Sequence, residues 1–210
     1  MDDAHDAVDV AFRLAGGRLA VDHAWALFGA VSAALPWFAG ERAARLHQVH
    51  TAASGSGWQR PGDAAGDELH LSRRTRLVLR VPRRRAADAL VLAGSELDVG
   101  GYRLAPGEGR VRELAPAATL LARHVACEDG EEEARLVARL ERTLGEIGSG
   151  GAEVLCGRAQ RITTPDGVLH TRSVVIANLD DAGSLTVQRR GIGPAGHLGC
   201  GVFVPFKRIE

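Results

Sequence analysis

The chain has 210 residues, enough for one domain of ordinary size or two small ones. Hydrophobic residues make up 45% and charged residues 25%, a balance that excludes an intrinsically disordered chain and is typical of a globular protein. Lys plus Arg and Asp plus Glu number 26 each, so no net charge attracts nucleic acid to the whole surface.

Three features bear on where the protein works. No window holds the roughly 18 consecutive apolar residues that a membrane helix needs. Residues 1–9 carry four aspartates and no Lys or Arg, whereas a secretory signal begins with basic residues. Cys127, Cys156 and Cys200 show neither CxxC nor Cys/His ligand spacing, so we expect free buried thiols and no metal site. Together these features predict a cytoplasmic protein.

The first half of the chain is predicted to alternate between strands and helices. Residues 8–14 alternate apolar and polar side chains, the period of a half-buried strand. Val21, Trp25 and Phe28 recur at helical spacing, and Pro36 ends that helix. In chain order the predicted elements are a strand at 8–14, a helix at 21–35, a strand at 44–50, a long loop at 51–67, a strand at 71–81, a helix at 84–92 and a bent or paired strand region at 97–114.

The same pattern restarts after Pro116. Leu136, Leu140 and Leu144 form the apolar stripe of a helix, and the turn Thr164-Pro165-Asp166-Gly167 joins two strands in a hairpin. The predicted elements are a strand at 119–127, a helix whose first turn holds the glutamates at 131–133 and whose apolar stripe runs from 136 to 147, strands at 154–162 and 168–177, a helix from Asp180 or Asp181 to about Arg190, and a strand at 201–206.

Each half therefore has the order strand, helix, strand, strand, helix, strand, which is the split βαβ arrangement of a ferredoxin-like domain. We predict an α+β fold of two tandem ferredoxin-like (RRM-like) βαββαβ domains, at residues 1–115 and 116–210, with a glycine-rich loop near the C-terminus. The fold alone says little about function, because this unit serves many activities.

The glycine-rich loop, residues 191–201, is the most distinctive local feature. It holds five glycines in eleven residues, between a predicted helix and a predicted strand. A dinucleotide-binding motif is excluded, since its glycines lie between a strand and the helix that follows it. Exposed backbone N–H groups in such a loop can bind phosphate, but a purely structural turn fits the spacing equally well.

Four stretches together carry a family resemblance. The pattern Gly-Ile-Gly, five residues, Gly-Cys-Gly, followed by Val-Phe-Val-Pro and Lys207, resembles the C-terminal signature of the CRISPR repeat-processing endoribonucleases of the RAMP superfamily. More narrowly, it is similar to the variant of Myxococcus-subtype type I systems. The other matching stretches are 55–61, 71–82, and 155–158 with 171–173.

The resemblance implies a metal-independent ribonuclease, without a cofactor, that cuts CRISPR precursor RNA within the repeat. A ribose 2′-hydroxyl attacks the adjacent phosphate, which leaves a 2′,3′-cyclic phosphate and a 5′-hydroxyl. Since the RNA brings its own nucleophile, the protein supplies proton transfer, charge stabilisation and alignment. The implied partners are CRISPR repeat RNA and other subunits of a type I surveillance complex. We expect the loop of the second domain to press the RNA backbone against a histidine of the first.

The resemblance also directs attention to two histidines. Family members usually place a histidine after the first helix, where this chain has His47 and His50. On an extended segment, residues three apart point to opposite faces, so only one of the two can face the RNA. We favour His47 as the catalytic residue, with His50 as the alternative. Without the resemblance, a histidine pair in an apolar segment is more often structural.

Candidate RNA-binding residues follow from charge and from the loop. In the family, the five residues inside the loop usually include a Lys or Arg, which this chain lacks, so His197 or a flanking cation takes that role. Arginines on the polar face of the predicted strand at 71–81 suit phosphate contact, although a solvated face fits as well. The candidates are Arg73, Arg74, Arg76, Arg158, Arg161, Arg189, Arg190, Gly191, Gly193, His197, Gly199, Gly201 and Lys207.

Two alternative functions remain open at this point. The departures from the family pattern in the loop, together with Phe206 where many relatives have His, are compatible with a non-catalytic RNA-binding subunit of a surveillance complex. A protein-interaction module unrelated to RNA is the third reading, and it would show no salt-sensitive RNA binding.

Overall fold

The computed structural model describes residues 6–50 and 67–206. Within the described residues the chain forms two compact units, which we call the N-terminal unit (residues 8–112) and the C-terminal unit (residues 113–206, together with residues 6 and 7). Each unit has a hydrophobic core of its own. Within the described residues, no helix is long and apolar enough to cross a membrane.

In the N-terminal unit, two helices pack on one face of a five-stranded sheet of order β3-β5-β1-β7-β6, and a two-stranded ribbon pairs β2 with β4. The elements are β1 (Ala7–Ala15), β2 (Arg18–Ala20), α1 (Ala24–Ala34), β3 (Arg45–Leu46), β4 (Glu68–His70), β5 (Arg76–Pro82), α2 (Ala86–Leu90), β6 (Leu97–Val99) and β7 (Tyr102–Arg112). Along β1, Val8, Val10 and Phe12 are buried in the core, which leaves Asp9 on the opposite face.

The C-terminal unit has a four-stranded sheet of order β11-β8-β10-β9. Its elements are β8 (Leu120–Ala126), α3 (Glu133–Glu146), β9 (Glu153–Thr164), β10 (Gly167–Ala177), α4 (Asp181–Arg190) and β11 (Val204–Pro205). The stripe of Leu136, Leu140 and Leu144 is fully buried, as its helical spacing predicts. The carboxylate of Asp180 accepts a hydrogen bond from the Gly183 N–H at 2.7 Å and so caps the start of α4.

Both units share one topology. If the strands of each βαββαβ unit are numbered along the chain, the sheet order is fourth, first, third, second, with β7-β1-β5-β3 in one unit and β11-β8-β10-β9 in the other. This is the ferredoxin-like arrangement, so the predicted tandem α+β fold is confirmed. The second strand of the N-terminal unit, β3, and the fourth strand of the C-terminal unit, β11, are much shorter than predicted, with two residues each.

Several predicted element bounds are wrong. The strand predicted at 71–81 begins only at Arg76, because Thr75 and Ser72 form a local turn in which the Ser72 N–H donates to the Thr75 hydroxyl at 3.0 Å. The strands predicted at 44–50 and 201–206 are reduced to two residues each, and the helix predicted at 84–92 keeps only Ala86–Leu90. The ribbon of β2 and β4 was not predicted, and most of the loop predicted at 51–67 lies outside the described residues.

The three cysteines are free thiols, but they are less buried than predicted. Only Cys200 is buried, and its burial raises the pKa of the thiol to about 12. Cys127 and Cys156 are half-buried at the edge of the C-terminal core, and burial raises the pKa of both as well. Raised pKa values keep all three in the unreactive thiol form at neutral pH.

Candidate functional site

His47 lies at the edge of the N-terminal sheet, directly after β3. Arg45 pairs with Arg80 of β5, and the His47 N–H donates to the Val78 carbonyl at 3.0 Å, which continues the strand pairing by one residue. Leu46 and Val49 are buried in the core and anchor this short segment. Since alternate residues of a strand share a face, Arg45 and His47 lie on the same face as Arg80.

A buried ion pair faces His47. The Arg80 guanidinium donates two hydrogen bonds to the Asp9 carboxylate, with Nε 2.7 Å from Oδ1 and Nη2 3.0 Å from Oδ2. The side chain of Arg80 is 1% exposed. The His47 Nε2 lies 3.6 Å from Asp9 Oδ1, which is an ion-pair separation and longer than a hydrogen bond. Asp9 thus stands between the arginine and the histidine.

Burial and charge set the protonation states of this cluster. Burial lowers the pKa of His47, and the Arg80 charge adds to this, while Asp9 opposes it without restoring the ordinary value. His47 is therefore neutral at pH 7. Burial by itself raises the pKa of Asp9, but His47 and Arg80 lower it by more, so the carboxylate stays ionised. The cluster combines a neutral imidazole with a fixed negative charge.

A second histidine fixes the segment that carries His47 and His50. His23, 2% exposed at the start of α1, places its Nδ1 2.9 Å from the Ala20 carbonyl and 3.0 Å from the Val21 carbonyl. Its Nε2 accepts a hydrogen bond from the Val49 N–H at 3.0 Å. Nδ1 must therefore carry the ring proton. His23 therefore has a structural role, and His50 is half-buried one residue beyond Val49.

The glycine loop begins at the end of α4 and closes onto itself. Gly191, Gly193, Gly199 and Gly201 all adopt positive φ. The Ile192 N–H donates to the Gly201 carbonyl at 3.2 Å, and the Gly201 N–H donates to the His124 carbonyl of β8 at 2.7 Å. A Cβ on Gly201, where φ is +63°, would collide with the Ile192 carbonyl oxygen. A side chain is therefore excluded at this position.

The tip of the loop presents backbone donors. Gly193 and Pro194 are exposed, and Ala195 takes a left-handed conformation with φ of 60°. Within residues 6–50 and 67–206, the N–H groups of the exposed Gly193 and the half-buried Ala195 donate no hydrogen bond. Neighbouring unpaired N–H groups in such backbone form an anion-binding concavity. The loop is therefore suited to a phosphate.

The cations that flank the loop differ in their surroundings. Arg189, in the last turn of α4, has a buried Nε with no hydrogen-bond partner among the described residues, and Arg190 is exposed. His197 is half-buried, and burial lowers its pKa, so it is neutral at pH 7 and does not supply a permanent charge. Arg189 and Arg190 both remain candidates for the loop cation. Lys207 lies outside the described residues.

The arginines of the predicted strand face do not form one surface. Arg73 and Arg74 are exposed in the turn before β5 and not on a strand. Arg76 begins β5, and its Nη1 donates to the carbonyls of Arg73 and Thr75 at 2.8 Å each, so it holds that turn together. Arg80, which the alternation placed on the same polar face, is buried against Asp9.

The remaining predicted residues lie on the C-terminal hairpin. Arg158 and Arg161 are exposed on β9.

Sequence reasoning missed Asp9, because an acidic residue at the start of an alternating strand resembles any solvated side chain. Within the described residues, no group of three or more His, Cys, Asp and Glu side chains is placed to hold a metal ion.

Comparison with known proteins identifies the family. The Cas6 family model, described as Cas6 Crispr, matches residues 8–208. This chain belongs to the Cas6 family. The CRISPR-associated endonuclease Cas6 of Myxococcus xanthus (strain DK1622) is 30% identical over 198 residues, which cover 94% of this chain and 81% of that relative. The resemblance given by the four sequence stretches is confirmed, and the chain is a CRISPR-associated endonuclease of the Cas6 type.

Solved structures agree on the fold. A structure described as CRISPR associated protein Cas6 superposes with a TM-score of 0.65 at 10% identity and covers 96% of this chain and 100% of that one. A second, described as an RAMP protein binding different RNA substrates, has a TM-score of 0.64 at 12% identity and covers 95% and 100%. At these identities the likeness shows the fold alone, which is that of tandem ferredoxin-like domains.

Proposed function

We propose that this Cas6 protein cleaves CRISPR precursor RNA within the repeat, without a metal ion, by attack of a ribose 2′-hydroxyl on the adjacent phosphate. In this proposal the N-terminal domain, residues 1–115, supplies the catalytic histidine. The C-terminal domain, residues 116–210, binds RNA phosphate through the glycine loop. Its association with other subunits of a type I surveillance complex and its cytoplasmic location stay predictions.

One observation carries the catalytic part of the proposal. His47 is a neutral, partly exposed imidazole held beside a fixed carboxylate, and its burial lowers the pKa. A general base must be unprotonated at the working pH, and a neutral histidine meets this condition. His50 lies beyond the strand pairing that holds His47.

The reaction needs only the RNA, His47 and water. His47 accepts the proton of the 2′-hydroxyl as its oxygen bonds to phosphorus. The bond between phosphorus and the 5′-oxygen breaks, the cyclic phosphate remains on one product, the leaving 5′-oxygen takes a proton from water, and the hydroxide so formed takes the proton from His47, which returns the ring to its neutral state. General base catalysis of this kind contributes about 10²–10⁴-fold in rate. No oxidant or co-substrate is required.

The glycine loop and Arg189 support the binding part. The N–H groups of Gly193 and Ala195 at the loop tip fit an anion, and the half-buried Arg189 lies in the last turn of the helix that leads into the loop. RNA phosphates would accept charge-assisted hydrogen bonds from donors of these two kinds. His197 would become a cation only when a phosphate beside it raised the pKa of the ring.

Cleavage of the cognate repeat RNA in EDTA tests the proposed reaction. The parent protein is run with unmodified RNA and with RNA that carries a 2′-deoxy substitution at the scissile nucleotide. His47→Ala and His50→Ala serve as a matched pair. We expect cutting to survive EDTA, to stop with the 2′-deoxy RNA, and to fall by about 10²–10⁴-fold in His47→Ala alone.

Each contrary result identifies a different error. Cutting abolished by EDTA would show that the metal-independent mechanism is wrong. A loss confined to His50→Ala would move the catalytic role to His50. Tight RNA binding without any cutting by the parent protein would favour the alternative, a non-catalytic RNA-binding subunit.

RNA binding measured over a range of salt concentrations tests the loop. If Arg189 contacts a phosphate, Arg189→Ala weakens binding and reduces the slope of log K against log salt by about one. Arg110→Ala is the matched control, because Arg110 is an exposed arginine paired at 3.7 Å with Glu108 on the N-terminal sheet. Equal slopes for the parent protein and Arg189→Ala would remove Arg189 from the binding site.

A further inference from the structure

We infer that Asp9 is a positioning residue, which fixes the ring proton of His47 on Nε2 and so presents Nδ1 as the base. This inference rests on the proposed function, since it specifies how His47 acts in RNA cleavage. Neither the family match nor the sequence patterns singled out Asp9. The inference stands on the geometry of three side chains from three strands.

The carboxylate of Asp9 is itself held in place. Arg80 binds Oδ1 at 2.7 Å and Oδ2 at 3.0 Å, a two-point contact that fixes both the position and the plane of the carboxylate. The nearly complete burial of Arg80 prevents the pair from separating into solvent. A carboxylate fixed in this way can orient a neighbouring ring.

The ring nitrogen nearest to Asp9 has no competing partner. His47 Nε2 is fully buried, makes no hydrogen bond to any described residue, and lies 3.6 Å from Asp9 Oδ1. A lone pair directed at a carboxylate is repelled, whereas an N–H in the same place is attracted. The neutral ring therefore carries its proton on Nε2.

The other side of the ring is left for the substrate. The His47 side chain is 17% exposed, and this exposure does not include the buried Nε2. With the proton on Nε2, Nδ1 holds the free lone pair. The charged groups around the ring are Asp9 from β1 and Arg80 from β5, with Arg45 beside Arg80 on the same sheet face.

This arrangement gives Asp9 a role in the proton transfer without making it a proton acceptor. When Nδ1 takes the proton of the 2′-hydroxyl, the ring becomes an imidazolium with a full positive charge. The fixed carboxylate stabilises that charge, and we expect the 3.6 Å separation to shorten, as catalytic contacts do when substrate binds. Arg80 keeps Asp9 ionised throughout, because it lowers the pKa of the carboxyl.

Nitrogen NMR of the RNA-free protein tests the tautomer directly. The ring nitrogens of His47 are assigned by comparing ¹⁵N-histidine-labelled parent protein with His47→Gln, at a pH at least about one unit above the ordinary histidine pKa of about 6.5. We expect a pyrrole-type signal from Nε2 and a pyridine-type signal from Nδ1. The reverse assignment in the parent protein would overturn the inference.

Substitution of Asp9 tests the consequence for catalysis. Asp9→Asn alone takes the carboxylate away from the buried guanidinium of Arg80, so Asp9→Asn/Arg80→Gln, which replaces the ion pair by two amides, is made beside it. We expect its cleavage rate at saturating protein to fall between about 10-fold and 10⁴-fold, with unchanged RNA affinity. Glu131→Gln is the control for a broken carboxylate–arginine pair, since Glu131 binds Arg139 at 2.7 Å in the C-terminal unit.

The outcomes separate this inference from the proposed function. If His47→Ala cleaves like the parent protein, both are wrong, because a ring that does not act needs no positioning. If His47→Ala loses activity while Asp9→Asn/Arg80→Gln retains the parental rate, His47 stays the catalytic residue and Asp9 has no positioning role. Loss in both variants with a parental rate in Glu131→Gln is the result we expect.

Discussion

The two units have the same strand order, but they join their central strands in different ways. In the N-terminal unit, Asp9 on the first strand and Arg80 on the third form a buried ion pair. In the C-terminal unit, the matching strands are joined by a contact between an imidazole and a hydroxyl, in which His124 Nδ1 lies 3.0 Å from the Thr171 hydroxyl. One topology therefore supports a carboxylate–guanidinium pair in one copy and a histidine–threonine hydrogen bond in the other.

The comparison shows how chemistry is divided on a repeated scaffold. The N-terminal unit concentrates ionisable side chains on its sheet, next to a histidine with a lowered pKa. The C-terminal unit offers backbone N–H groups from a loop whose shape depends on glycine. Proton transfer and anion binding are different tasks, and the proposed function assigns each to the unit whose groups suit it.

The largest expected difference in stability is between a variant that breaks the Asp9–Arg80 pair and one that breaks the His124–Thr171 contact. Arg80→Met leaves the half-buried carboxylate of Asp9 without the guanidinium that binds it, so we expect a loss of about 3–5 kcal/mol in the free energy of unfolding, whereas Asp9→Leu/Arg80→Met recovers most of it. Thr171→Val removes only the hydrogen bond between the Thr171 hydroxyl and His124 and should cost about 1–3 kcal/mol. Urea unfolding measures all three. Equal losses in the two single variants would contradict the contrast between the units.

The glycine loop offers a second test, with a matched control inside the loop. Gly201→Ala meets both a left-handed backbone and the Ile192 carbonyl, whereas Gly193→Ala, where φ is +85°, has open space around the new methyl group. We expect Gly201→Ala to lower the free energy of unfolding by more than about 3 kcal/mol and Gly193→Ala by about 1 kcal/mol. Similar effects of the two substitutions on urea unfolding would contradict the close approach at Gly201.

Each unit also contains one half-buried histidine that should make stability depend on pH. Burial lowers the pKa of both His47 and His197 in the folded protein. The unfolded chain therefore binds more protons below about pH 6.5, so the free energy of unfolding falls as the pH decreases from that value. His47→Gln and His197→Gln should each flatten this fall. The free energy of unfolding is measured between about pH 7 and pH 5. If its pH dependence is the same in both variants as in the parent protein, the account is contradicted.

The smallest expected effect concerns the helix that leads into the glycine loop. Asp180→Ala removes the cap on the Gly183 N–H and should cost about 1 kcal/mol. Asp181→Ala, one residue further along in the first turn, affects only the helix dipole and should cost about 0.3–1 kcal/mol. Thermal or urea unfolding distinguishes the two. A larger loss in Asp181→Ala would show that Asp180 is not the effective cap.

The sequence predicted those elements whose signals are local. The leucine stripe of α3 and the turn Thr164-Pro165-Asp166-Gly167 specify a helix and a hairpin without help from distant residues, and both are confirmed. β3 and β11 have two residues each, and such strands are held by their neighbours in the sheet and not by an alternation of their own. Their lengths were therefore outside what a local pattern can predict.

The candidate site was less accessible to prediction, because its contacts are long-range. Arg80 follows the alternation of a solvated strand face, and only its pairing with Asp9, 71 residues earlier, reveals that it is buried. His47 was selected through the family resemblance and not through its local sequence. In the structure it differs from His50 through contacts with β5 and Asp9, which residues three positions apart in the sequence do not reveal.

A single-turnover experiment that measures rate and affinity separately tests the central claim that the N-terminal unit supplies the chemistry and the C-terminal loop supplies binding. Parent protein, His47→Ala and Arg189→Ala are titrated in excess against repeat RNA. We expect His47→Ala to lower the rate at saturation by about 10²–10⁴-fold with unchanged Kd, and Arg189→Ala to raise Kd with little change in the saturating rate. A His47→Ala protein that cleaves at the parental rate, or that loses affinity as much as rate, would contradict the account.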